Sequence, residues 1–457
     1  MHRTTFLGSY SITVIIIFAL AVLTEVSFPA AGTSQLVWKV PLGALVKAFN
    51  KSSGIIAFIA VVPSVAIPSR IGGYMEAMET FLSSDTPNRK AGNGTSQVSL
   101  PTYLGRITKP FTSFLALAGL QLLMTFVLNI GSIPIMQRLL DKTRLPKRYL
   151  SLLYSTAYSS YMVVSPFDGL IQALILAAGS SYAAYAGRGL AMTGAIMTAG
   201  LLILALSPHS MRPGQAVHMH QPSEGGQADP ESGKGSIPAA LGKARPGYRL
   251  MELAAHIVAM IVLAVIFGRL VQLRNPAMGT AFVIMVYVVF WLRLLGVDRK
   301  QLGGSVREYA LALGGFRAFL PFLISASFLG ALTTYTPLSE AIGSALMHLE
   351  KLPRYFSIQA IMAGTALLSL GGVHMMITVA AISSAVDPAM LGLDPPGFAL
   401  FLLSCWFVAM NVSPFVPFST VVGEAIGEKP ATVALRYNSK MALLMLLIGP
   451  ALINLMH

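Results

Sequence analysis

Acidic residues are scarce in this sequence: Asp and Glu number 18 against 32 Lys and Arg, and all four types make up only 11% of 457 residues. An ordinary globular domain carries about 25% charged residues, so a surface facing water on all sides is excluded. Cysteine occurs once, as Cys405. One thiol can form no internal disulfide, no CxxC redox pair and no thiolate metal site, and its place in an apolar stretch reads as packing. Catalytic motifs are missing as well. There is no HExxH, no GxSxG, no Walker A loop and no pair of carboxylates within an apolar stretch. The chain therefore does not read as an enzyme, no cofactor or metal is expected, and any transport it performs must run on an ion gradient or on the solute's own gradient.

What is abundant is apolar sequence, at 54% of the chain. About 20 apolar residues cross a bilayer core, and such windows occur at about 8–30, 54–69, 110–136, 150–178, 190–206, 251–271, 276–296, 316–346, 356–385, 398–425 and 438–456. The expected fold is all-α, a polytopic protein of the cell membrane with about 10–12 membrane segments. Several windows exceed one span and contain Gly, Pro or Ser, so they predict broken helices or re-entrant hairpins. The net charge of +14 does not indicate nucleic acid, because the Lys and Arg fall in short loops between apolar windows, as the positive-inside rule requires. The apolar run after Arg3, followed by Ala30, Ala31 and Gly32, imitates a secretory signal. It leads straight into further spans and is expected to stay as a first helix.

From Ser207 to Gly247 the composition shifts to Pro, Gly, Ser and His with scattered charges, a flexible linker. His209, His218 and His220 within it have no framing Cys or carboxylate pattern and read as incidental. The chain thus divides into a first transmembrane repeat (1–206), a cytoplasmic linker (207–249) and a second repeat (250–457). Two echoes join the halves. Leu145, Pro146, Arg148 and Tyr149 recur as Leu352, Pro353, Arg354 and Tyr355, and Val164-Ser165-Pro166-Phe167 recurs as Val412-Ser413-Pro414-Phe415. They imply different registers. The first sets Ser165 and Pro166 opposite Gly372 and Val373, with Phe167 opposite His374, and is preferred because it also aligns the preceding segments. The first anchor loop carries Arg138, Lys142, Arg144, Lys147 and Arg148, the second only Lys351 and Arg354. That unequal basic bias favours inverted over parallel repeats.

Breaks at membrane depth locate the expected site. Unpaired backbone groups in hydrocarbon cost several kcal/mol unless protein or a wet cavity meets them. Pro166, Pro414 and Pro417 free carbonyls, and Gly371 and Gly372 permit backbone geometries that other residues resist. Freed carbonyls suit a cation and half-helix N-termini suit an anion. The candidate solute-binding residues are Ser165, Pro166, Asp168, Gly371, Gly372, His374, Asn411 and Ser413. Ser160, Asp168, Ser369, Thr378, Ser419 and Thr420 are the candidate ion-coupling groups, with Na+ or H+ as the ion. Asp168 and His374 are singled out because ionisable groups at membrane depth are expensive. Arg317, Glu340 and Glu424 lie nearer segment ends, where snorkelling accounts for them.

This arrangement of breaks resembles the ion transporter superfamily, which includes divalent anion/sodium symporters, arsenite permease-like proteins and the large membrane subunits of dicarboxylate transporters. The resemblance implies two inverted repeats whose hairpins and unwound helices meet at a central site, elevator motion and often a homodimer. Tyr161–Gly169 and Leu370–Thr378 resemble the hairpin tips, and Asn411–Thr420 an unwound helix. The Ser-Asn-Thr signature of the dicarboxylate symporters is replaced here by Ser165-Pro166-Phe167 and Gly371-Gly372-Val373, so carboxylate specificity does not carry over. The expected function is secondary active transport of a small anionic solute by alternating access. A channel, and a membrane-embedded enzyme acting on a lipid-linked substrate, are the alternatives.

Overall fold

The computed structural model describes residues 61–83, 110–141, 145–207, 246–271, 276–297, 303, 304, 309 and 352–456. The windows expected at about 8–30 and 316–346, with Arg317 and Glu340, lie outside the described residues, as do linker residues 208–245 and the loop residues Lys142 and Arg144.

Helices make up the described chain in this order: α1 (Ala66–Ile71), α2 (Tyr74–Ser83), α3 (Pro110–Leu128), α4 (Ser132–Leu140), α5 (Lys147–Val164), α6 (Gly169–Ala177), α7 (Tyr182–Leu206), α8 (Pro246–Leu270), α9 (Pro276–Leu294), α10 (Arg354–Leu370), α11 (Met375–Ala385), α12 (Pro395–Val412), α13 (Pro417–Ile426) and α14 (Ser439–Leu455). A π-helical stretch, Thr432–Asn438, leads into α14. Among the described residues five helical segments are long and apolar enough to cross a bilayer, or six if the bent pair α5 and α6 is one span. The chain is an all-α polytopic membrane protein.

Helix α12 is the centre of the packing. It touches α5, α6, α7, α10, α11, α13 and α14, and 83% of its span is buried in protein, against 22% for the span Gly247–Leu270. Its sequence is apolar on all sides, as a helix surrounded by other helices requires. The span of α8, by contrast, leaves Val258, Val262, Leu263 and Ile266 exposed, an outer face matched to lipid.

Both sequence echoes are structural. Pro146 and Pro353 are the N-cap residues of α5 and α10 with nearly the same backbone angles, φ −59° ψ 138° and φ −53° ψ 139°. Helix α5 has 18 residues and α10 has 17, and each gives way to a non-helical stretch, 165–168 and 371–374, before a second helix. The missing residue in α10 shifts the expected register by one, so that His374 corresponds to Asp168 and not to Phe167. The tetrapeptide echo is a copy of the same turn: α12 also has 18 residues and ends at 413–416. In both turns the serine amide bonds back into its helix, Ser165 to Tyr161 and Ser413 to Ala409. In both, the serine hydroxyl accepts the amide of the phenylalanine two residues on, at 3.0 and 3.3 Å.

Elsewhere, helix interruptions are repaired locally. Pro450 within α14 lacks the N–H that would bond four residues back, and the Gln359 side chain donates to that carbonyl, Leu446 O, at 3.3 Å. Asn129, at φ 50°, separates α3 from α4, and the Ser132 hydroxyl meets its carbonyl at 2.7 Å.

Candidate functional site

The first break bends α5 and α6 by 50°. Sequence predicts that Pro166 leaves carbonyls open to a cation, but in the structure side chains meet four of the carbonyls around the break. Tyr182 and Tyr185 of α7 donate their hydroxyls to Val164 O and Val163 O, each at 2.6 Å. Thr193 reaches Ser160 O at 3.3 Å and Gln172 reaches Pro166 O at 3.4 Å. The tyrosines can do this because α7 lies close on α5: a Cβ at Gly189 would fall 2.4 Å from Val163 O. The physical reason for the difference is that protein donors, present at no cost in association, satisfy the backbone before an ion is needed.

Asp168 caps α6, its Oδ1 accepting the amides of Leu170 and Ile171 at 2.9 and 3.4 Å. Its Oδ2 accepts from Asn129 Nδ2 at 3.2 Å and from the Tyr161 hydroxyl at 3.5 Å. Asn129 Oδ1 accepts in turn from Tyr158, and Tyr158 stacks on Phe418 of α13 with ring centroids 5.1 Å apart. The carboxylate is thus tied to the elbow between α3 and α4.

At the second break α10 ends on a Gly371-Gly372 turn. Gly372 has φ +90°, a backbone state open to glycine and costly for other residues, and Val373 N bonds back to Leu368 O at 3.0 Å. His374 then caps α11, Nδ1 accepting the Met376 amide at 3.2 Å. At the third break Ser413 donates to Ser369 O at 2.9 Å, Ser419 donates to Ser413 O at 2.8 Å and Thr420 donates to Val416 O at 3.4 Å.

The second and third breaks come together. Besides the Ser413–Ser369 bond, a Cβ at Gly372 would lie 3.9 Å from the Phe415 ring. Asn411, fully buried two residues before the third break, accepts from Ser155 and donates to Ser159 at 3.3 Å, joining α12 to α5. The first break joins the group through α6, which packs on both α11 and α12. Asp168 and His374 themselves belong to different networks: the partners of Asp168 lie at the elbow between α3 and α4, on α5 and on α6, whereas His374 meets Trp406 of α12 edge-on.

Several polar groups at the breaks have no hydrogen-bond partner among the described residues, including Ser160 Oγ, Ser369 Oγ and Thr378 Oγ1, three of the expected ion-coupling hydroxyls. Trp406 Nε1 is another, and nothing in its apolar sequence surroundings distinguishes it. Sequence reasoning also missed the bidentate ion pair of Arg188 on α7 with Asp394, the N-cap residue of α12. No cluster of three His, Cys, Asp or Glu able to hold a metal exists among the described residues.

Fold and site together define a polytopic α-helical membrane protein with broken helices gathered around one central helix. No protein-family model and no curated protein matches the chain. Among solved structures, the YdaH transporter of Alcanivorax borkumensis is similar, with TM-score 0.60 at 13% identity over 99% of this chain and 98% of that one. MtrF of Neisseria gonorrhoeae, described with a class of antimetabolite efflux pumps, is similar with TM-score 0.58 at 11% identity, over 97% and 94% of the two chains. At such identities the likeness establishes a shared fold over nearly the whole length. Both similar structures are of transporters.

Proposed function

We propose that this protein is a secondary active transporter of a small anionic solute, coupled to sodium or protons and working by alternating access in the cell membrane. The observation that carries the reading is the gathering of the breaks on α12: Ser413 bonds to Ser369 O, Phe415 packs on Gly372, and Asn411 holds Ser155 and Ser159. Interruptions at membrane depth are tolerated where they line a place for something polar, and transporters put solute and ion at paired breaks near the midplane. The absence of acidic and basic side chains from α11 and α12 leaves backbone dipoles and hydroxyls to do the binding, which suits a weakly held, exchangeable solute. The whole-length likeness to YdaH and MtrF supports transport as the activity. In this reading the two halves are inverted repeats that move by an elevator stroke, in a homodimer, as the resemblance to the ion transporter superfamily implies.

The test is uptake by proteoliposomes of a panel of organic and inorganic anions, with sodium gradients, proton gradients or neither. Gradient-dependent accumulation of one anion is expected. If nothing accumulates under any gradient, and planar bilayers instead carry steady current, the protein is a channel.

A further inference from the structure

Three buried polar atoms flank the second break without a partner among the described residues: Ser369 Oγ, Thr378 Oγ1 and Trp406 Nε1. They belong to three helices, α10, α11 and α12, that pack on one another. The residues are 1%, 7% and 5% exposed, so bulk water does not serve them. Trp406 lies edge-on to His374, ring centroids 6.3 Å apart at 70°, which sets the indole beside the turn where the chain leaves α10 and enters α11. Ser369 stands two residues before the turn and Thr378 four residues after it. Buried polar groups in native proteins nearly always have a partner, and one without any calls for an explanation such as a ligand.

Every atom of this set can donate to an acceptor, and one of them can do nothing else. An indole N–H only donates, and hydroxyls can donate. A cation satisfies neither an indole N–H nor, here, any carboxylate, because α10 after Arg354, the turn, α11 and α12 contain no Asp or Glu. His374 accepts a backbone amide at Nδ1, so its neutral ring carries the proton on Nε2. The turn also presents the start of α11, where backbone N–H groups and the helix dipole favour negative charge. The unpartnered atoms thus sit on three mutually packed helices around a turn that offers no carboxylate.

We propose that Trp406 Nε1–H, with the hydroxyls of Ser369 and Thr378, binds the oxygens of a singly charged oxyanion group on the solute, making all three solute-binding residues and removing Ser369 and Thr378 from the ion-coupling set. This rests on the transporter reading above, whose anionic solute it gives a binding group.

The experiment is titration of tryptophan fluorescence of the full chain in lipid nanodiscs with acetate, methanesulfonate, phosphate and, as a neutral comparison, acetamide. The chain has three tryptophans, so the difference between the native protein and Trp406→Phe isolates Trp406. A saturable change with at least one oxyanion, absent with acetamide and absent in Trp406→Phe, is expected. Thr378→Val and Ser369→Ala should each raise the apparent Kd about tenfold, the loss of one hydrogen bond. No oxyanion response, an equal response to acetamide, or native Kd in both hydroxyl variants overturns the proposal. Should Trp406→Phe not elute as a folded species, Thr378→Val, nearly isosteric, carries the test alone. Uptake measurements separate the two levels. Transport with an unchanged KM in all three variants ends this proposal and leaves the transporter standing, while saturable oxyanion binding without uptake under any gradient keeps the site and ends the transporter.

Discussion

Asp168 and His374 hold the same position in two helix–turn–helix units: each is the N-cap of the second helix, and each accepts the backbone amide two residues on, Leu170 in one case and Met376 in the other. A carboxylate and an imidazole thus do one local task while giving the two turns opposite character. The carboxylate is saturated by four donors from three directions. The imidazole faces an indole.

For Asp168 the capping role predicts a separation of two variants. Asp168→Ala removes an acceptor from the first turn of α6 and should cost about 1–2 kcal/mol, read as a lower thermal midpoint in detergent. Asp168→Asn keeps an oxygen for Leu170 and Ile171 and should recover most of that loss. If Asn is as damaging as Ala, charge and not capping is what the position requires.

Asn411 makes three buried hydrogen bonds, from Ser155 and to Ser159 and Phe407 O. Asn411→Ala strands two serine hydroxyls in the core and is expected to destabilise by about 1–3 kcal/mol, with uptake abolished. Full uptake in this variant would mean that the contact of α12 with α5 is not needed for function.

Gly372→Ala places a side chain at φ +90°, which costs about 1–2 kcal/mol. The added methyl has room, with its nearest neighbour in Phe415 at 3.9 Å, so strain alone is tested. Slower uptake with little change in the folded yield is the expected result, whereas Gly371→Ala, at φ −73°, should be nearly silent in the same assay.

The Arg188–Asp394 pair couples α7 to the start of α12. Arg188→Gln and Asp394→Asn, alone and combined, form a double-mutant cycle, and a coupling of about 1–2 kcal/mol is expected for a half-buried bidentate pair. Asp394→Asn keeps the bond to the Gly397 amide, so the cycle reads the ion pair and not the cap. Zero coupling in thermal unfolding would reduce the pair to a surface contact.

How much of this was legible in the sequence follows from where each signal resides. Breaks are written in single residues: Pro166, Pro414 and the Gly371-Gly372 pair mark the ends of three helices directly, and a repeated Leu-Pro marks the start of two. Partners are not so written. Tyr182 and Tyr185 look like any aromatic residues of an apolar window, and only the approach of α7 to α5 at Gly189 turns them into donors for the carbonyls of Val163 and Val164. Arg188 and Asp394 are 206 residues apart, a separation over which charge pattern carries no pairing information. Trp406 is hidden by its own hydrophobicity, since its one polar atom becomes significant only once burial removes water from it. Asn129 left a trace, standing beside Gly131 between two apolar runs, the composition of a left-handed elbow.

The two Ser-Pro-Phe turns share one local design but not one mechanical support. Around Ser165, two tyrosines, a threonine and a glutamine clamp the neighbouring carbonyls; around Ser413, the described clasps are the hydroxyl links to Ser369 and Ser419 and the bond of Thr420 to Val416 O at the start of α13. Compliance is therefore unevenly distributed. In the alternating-access cycle proposed above, the lightly fastened joint is expected to yield first, with the other as the fulcrum.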